Sequence, residues 1–129
     1  MCISRSILTI LILFLSVNIV HARDFEVKKT AGTYDITIKL ERYPAVVGDN
    51  GIEIKITDGD TITDATVWIN YYMPPMPRMA PMNYKIKGVL KNGKYRAPMS
   101  LIMAGPWIIA IKIMRGEKVV TTKINIDVR

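Results

Sequence analysis

The sequence predicts an all-β fold, a two-layer sandwich of about seven strands behind an N-terminal signal peptide. Three observations predict it. Apolar and polar residues alternate with period two through most of the chain after residue 22, the mark of strands with one buried face. Turn signals rich in Gly, Asn and Asp recur between these short stretches. No stretch beyond the N-terminal apolar run carries a helical period. Seven short strands in roughly 100 residues have the size and rhythm of an immunoglobulin-like β-sandwich.

The first element lies outside the fold. Arg5 supplies a positive start, Ile7 to Val20 is an apolar run broken only by Thr9, Ser16 and Asn18, and Val20-His21-Ala22 ends it on a small residue. These are the regions of a secretory signal, so residues 1–22 are expected to be removed and residues 23–129 to form one domain, periplasmic or secreted. The run is shorter than the about 20 apolar residues of a spanning helix. An uncleaved membrane anchor is the alternative. Cys2 precedes the run, where a lipid-attachment cysteine would have to follow it, and is read as incidental.

Removing 22 residues from 129 leaves 107, with a net charge of +6 because the leader carries one Arg and no acid. The only Cys and the only His leave with it, and Ser100 is the one remaining Ser. No disulfide can form, although the compartment permits one. The usual zinc and blue-copper ligand sets are missing, as are Ser–His–Asp and Cys–His nucleophiles. The expectation is a protein that is not an enzyme and takes no small-molecule substrate.

A short strand near Phe25 to Lys28 opens the domain. Tyr34, Ile36, Ile38 and Leu40 then alternate with Asp35, Thr37, Lys39 and Glu41. Val47-Gly48-Asp49-Asn50-Gly51 reads as a turn, after which Ile52, Ile54 and Ile56 alternate with Glu53, Lys55 and Thr57. Past Asp58-Gly59-Asp60, Ala65, Val67, Ile69 and Tyr71 oppose Thr66, Trp68 and Asn70. Tyr84, Ile86, Gly88 and Leu90 face away from Lys85 and Lys87. Asn92-Gly93 makes a hairpin turn, since both residues tolerate positive φ. A short strand near Ser100 to Met103 follows. Gly105 and Pro106 suit a tight turn, and the uniformly apolar Trp107 to Met114 reads as a central strand. Arg115-Gly116-Glu117-Lys118 turns the chain into its last strand, Val119 to Val128. Trp107 and Trp68 are expected between the sheets, where aromatics dominate sandwich cores.

One segment breaks the alternation. Tyr71 to Met82 holds four of the eight Met and four of the seven Pro. Proline removes ladder donors, so the segment is expected to be an exposed loop or edge with polyproline-II character. Met73, Met76, Met79 and Met82 recur every third residue. Three residues per polyproline-II turn would put the four thioethers on one face, about 9 Å apart. Three readings follow. The methionines cap the end of the core. They bind a soft metal, Cu(I), which thioethers prefer and which they take without losing a proton. Or, with Tyr72, Pro74, Pro75 and Arg78, they form an adaptable contact surface for a partner. Metal binding sets a condition: the loop must bend, Met99 or Met103 must converge on it, or two chains must share the ion.

Asp64-Ala65 leading into Val67, Tyr72-Met73-Pro74-Pro75-Met76-Pro77-Arg78-Met79, Gly93-Lys94-Tyr95-Arg96-Ala97 and Met103-Ala104-Gly105-Pro106-Trp107 together resemble the YtkA-like domain family, which is similar to the FixH-like proteins of bacterial envelopes. The resemblance spans roughly residues 34–114. It implies a secreted or membrane-tethered immunoglobulin-like domain, associated with copper handling and respiratory oxidase assembly. Arg78 stands where the family's Met-Pro-Gly-Met pattern has Gly, which adds a charge beside the candidate site. On this reading the candidate ligands for Cu(I) are Met73, Met76, Met79, Met82 and Met103. The partner would be an envelope or inner-membrane complex. Nucleic acid is not expected, because the signal directs the chain out of the cytoplasm.

Two further clusters are weaker. Asp58, Asp60 and Asp64 read as solvated turn residues, since calcium needs six or more oxygens. Lys85, Lys87, Lys91, Lys94 and Arg96 read as a basic hairpin, either solvated or a docking surface for an acidic partner or anionic headgroups.

Overall fold

The computed structural model describes residues 25–129. The signal segment 1–22, with its alternative as an anchor, lies outside the described residues. Ten strands follow in chain order: β1 (Phe25–Ala31), β2 (Tyr34–Leu40), β3 (Gly48–Asp58), β4 (Asp60–Thr61), β5 (Thr66–Tyr72), β6 (Asn83–Lys87), β7 (Val89–Lys91), β8 (Lys94–Leu101), β9 (Gly105–Arg115) and β10 (Lys118–Val128). They form two antiparallel sheets. One runs β1-β2-β3-β8-β7, with β4 paired to β3 off that path, and the other runs β10-β9-β5-β6. Strands β2-β3-β8-β7 against β10-β9-β5 follow the ABED-against-GFC order of an immunoglobulin-like sandwich. The remaining strands, β1, β4 and β6, bring the expected seven to ten.

The alternation read from the sequence is the alternation of the core. Tyr34, Ile36, Ile38, Leu40, Ile52, Ile54, Ile56, Val67, Ile69 and Tyr71 are all buried. On β9 the buried set is Trp107, Ile109, Ile111 and Ile113, and on β10 it is Ile124, Ile126 and Val128. Two tyrosines tie the sheets together across this core. The Ser100 amide donates to the Tyr71 hydroxyl at 3.3 Å, and the Ala65 amide donates to the Tyr95 hydroxyl at 3.0 Å.

Four expectations are corrected. Gly48 to Gly51 belongs to β3 and pairs with β8, Gly48 opposite Leu101 and Gly51 opposite Pro98. The bend lies just before it, where the buried Asn50 amide donates to the Val46 and Gly48 carbonyls at 2.6 and 3.0 Å. The strand expected at Ser100 to Met103 is β8, Lys94–Leu101, with Tyr95, Ala97, Met99 and Leu101 inward. The run Tyr84 to Leu90 is two strands in different sheets. The chain crosses at Gly88, whose amide donates to the Val67 carbonyl at 2.8 Å, and a Cβ there would sit 3.3 Å from Tyr95 Cβ. Leu90 is consequently exposed, and Lys85 and Lys87 are separated from Lys91, Lys94 and Arg96, so the basic hairpin is not one face. Finally, Trp107 is fully buried but Trp68 is not in the core. It lies half-buried on the outer face of its sheet with Lys85 Nζ 4.6 Å from its ring centroid.

Candidate functional site

Strand β5 stops at Tyr72 because Pro74 and Pro75 offer no amide to a ladder. The chain returns as β6 at Asn83, and the ten residues between form the methionine–proline loop at one end of the sandwich. The Met73 amide donates to the Met82 carbonyl at 3.4 Å and closes the loop's mouth. Inside it the Met79 amide donates to the Met76 carbonyl at 3.3 Å. Pro77 and Arg78 are the central residues of that turn, and Arg78 has a φ of +67°. Proline followed by a positive φ is the type II arrangement, which favours Gly at its second central position. Arg78 therefore stands at a corner where Gly would sit without strain.

This turn overrules a straight polyproline-II segment. Instead of spacing along one face, Met73, Met76, Met79 and Met82 line one pocket of about 90 Å³, completed by Pro74, Pro75, Ala80 and Pro81. Bending was the first of the three conditions for a shared ion. Arg78 is exposed and is not among the lining residues. Met73 is buried and Met76 and Met82 are half-buried against the core, so three of the four also cap the sandwich. Met79 is 38% exposed. Pro75 is exposed, whereas Tyr72 and Pro74 are half-buried.

Met103 is not brought to this pocket. It lies half-buried against the core between β8 and β9, and its carbonyl accepts a hydrogen bond from Trp107 Nε1 at 2.9 Å. Met99 is fully buried on β8. The tight turn expected at Gly105 and Pro106 is instead the start of β9, paired with β10, and the sequence assigned no part in the site to Gly105. Its φ is +129°, and a Cβ there would lie 3.0 Å from Met73 Cε. The methyl of Met73 thus rests where Gly105 has no side chain, which joins the Ala-Gly-Pro-Trp segment to the loop. Below, Tyr71 and Tyr84 stack at 5.4 Å, and both rings lie within 6.3 Å of the Trp107 ring.

Among the described residues, no group of three or more His, Cys, Asp or Glu is placed to hold a metal ion. Asp58, Asp60 and Asp64 are exposed, and Asp64 pairs with Arg115 at 2.9 Å. A thioether set is the soft-metal donor group present, and its chemistry suits Cu(I).

The family model described as YtkA-like matches residues 28–112, a span that takes in the loop and Gly105. No curated protein matches the chain. Among solved structures, a crystal structure of the Parabacteroides merdae beta-glucuronidase with glycerol in its active site aligns at 12% identity and a TM-score of 0.42. The alignment covers 71% of this chain and 13% of that enzyme. A likeness of that degree bears on neither mechanism nor substrate.

Proposed function

The chain belongs to the YtkA-like family, and on that premise we propose that it is an envelope binding domain that takes up and presents Cu(I) through Met73, Met76, Met79 and Met82. One observation carries the reading: four thioethers, far enough apart in sequence to have pointed elsewhere, line a single pocket with no carboxylate or amine in its wall. Neutral soft donors favour Cu(I) over Cu(II) or zinc and release no proton on binding. The partly exposed Met79 is the entry point, and the buried Met73, seated on Gly105, is the fixed one. The domain itself catalyses nothing on this reading.

The test is a Cu(I) competition titration of the purified protein against a chromophoric chelator. Changing Met76, Met79 and Met82 to Leu leaves the buried Met73 in place and preserves the fold, checked by near-UV circular dichroism. Changing all four to Leu completes the series. Progressive loss of competition is expected, and affinity equal to wild type in both variants sinks the proposal.

A second reading has its own support. Pro75, Pro77, Arg78, Met79, Ala80 and Pro81 are exposed, an adaptable apolar rim of the kind that docks on a partner. The partner would be a membrane complex of the oxidase-assembly or efflux type. It is then retained in a pull-down under copper chelation and lost when residues 74–81 are replaced by a short turn.

A further inference from the structure

The two outer faces of the sandwich carry their charge differently. On the β1-β2-β3-β8 face one row of cross-strand neighbours alternates in sign, Glu26 opposite Lys39, Lys39 opposite Glu53 and Glu53 opposite Arg96, while the next row sets Lys28 and Lys55 on either side of Thr37. Glu53 bonds Lys94 Nζ at 2.8 Å and Arg96 at 3.1 Å. The outer face of the other sheet has no such pairing. Its register sets Lys87, Trp68 and Lys112 side by side in one row, and Lys85 and Lys123 at the two ends of the next. All four lysines are exposed, and none has a carboxylate partner among the described residues. The face's one acid, Asp127, sits in its last row opposite Pro106. With strands about 4.8 Å apart, the four span a field about 14 Å wide.

We infer that this face docks on an anionic lipid surface, independently of what the methionine loop binds. The charge complementarity is one-sided and diffuse. Every cation on the face is a lysine, whose compact, hydrated ammonium responds to a surface potential without needing bidentate geometry. Cores of protein interfaces are depleted in Lys and enriched in Arg, and no Arg stands among the outward residues of β5, β6, β9 and β10. Trp68 stands half-buried between Lys87 and Lys112, and Tyr72 is half-buried further along the same strand; both are amphipathic aromatics of the kind that sit at headgroup level in membranes.

The full chain is titrated with vesicles of phosphatidylcholine and with vesicles containing one-third phosphatidylglycerol. Comparing the two cancels whatever the apolar run at residues 7–20 contributes. Preference for the anionic vesicles is expected, falling with salt. A K85Q/K87Q/K112Q/K123Q variant should lose it, at about fivefold in affinity per lysine. A charge-matched variant, K28Q/K29Q/K55Q/K91Q, should keep most of it. Trp68 reports the contact directly: its emission shifts to the blue on docking and the shift disappears in Trp68→Phe, while the buried Trp107 stays silent. Equal loss in both quadruple variants, binding without a Trp68 shift, or displacement from vesicles by an equimolar acidic protein or oligonucleotide overturns the inference.

Discussion

Gly105 is glycine for two separate reasons, and they can be separated experimentally. Its φ of +129° is one that L side chains rarely adopt, and the space a Cβ would fill holds the Met73 methyl. Backbone strain of this kind costs about 1–3 kcal/mol. Gly105→Ala should therefore lower Tm by roughly 4–24 °C, since 1 kcal/mol moves a domain of this size by about 4–8 °C. It should also lift Met73 out of its seat, read as faster oxidation of Met73 by peroxide in peptide mass spectrometry. Gly116 is the control. Its φ is +60° with nothing within 4 Å of an added Cβ, so Gly116→Ala should lower Tm and leave Met73 oxidation unchanged. The sequence marked Gly105 as a turn residue. That its missing side chain is filled by a methionine more than thirty positions away was not legible, because the contact depends on β9 pairing with β5.

At the scale of elements, the strands with strict alternation were legible and the irregular ones were not. Residues 48–51 look like a turn by composition, yet pairing with β8 extends β3 through them, a case of tertiary context overriding local preference. Pro98 hid β8 in the same way. It is tolerated because β7 covers only Lys94 to Arg96, so on that side Pro98 has no neighbour awaiting an amide. The crossing at Gly88 was read as continued alternation because period two does not reveal a change of sheet. In the methionine–proline loop the spacing of the thioethers was legible, and their convergence was not, since it depends on the turn at Pro77-Arg78. Arg78 is held at a φ that penalises any residue with a Cβ. Arg78→Gly should raise unfolding free energy by about 0.5–1 kcal/mol, the left-handed strain relieved less the entropy a glycine adds to the unfolded chain. Denaturant midpoints check this. A fall in stability would mean that the guanidinium makes a contact worth more than the strain.

Across the whole molecule, the inward pattern and the ordering of turns were enough to anticipate two layers, but not which strands would neighbour which. The sequence showed a basic cluster but not its faces; the register leaves one outer face with cations paired around Glu53 and the other with lysines that have no carboxylate partner among the described residues. Glu53 anchors the paired face. Its hydrogen bond from Lys94 holds its carboxyl below the usual range, opposed by desolvation and helped by the nearby charges of Lys94, Arg96 and Lys39. The sign follows. The unfolded chain takes up the proton first, so the stabilisation is complete above the ordinary carboxyl value of 4.5 and fades as pH falls through the lower folded value. Glu53→Gln should therefore be less stable than wild type at neutral pH, with the gap closing in acid. Urea midpoints measured at neutral and acidic pH read this out, and a gap that persists unchanged in acid would show that the ion pairs contribute nothing.

The pairing of β5 with both β6 and β9 sets an order of events. The β5–β6 hairpin is local in sequence, so the loop's mouth, from the Met73 amide to the Met82 carbonyl, closes with it. Gly105 arrives only when β9 joins β5 from the far side, and contacts so distant along the chain form late in β-sandwiches. The seat of Met73 is thus built by a contact that the hairpin on its own lacks. The loop gathers its four thioethers by its own turn, and the finished sandwich adds the anchor that holds one of them in place.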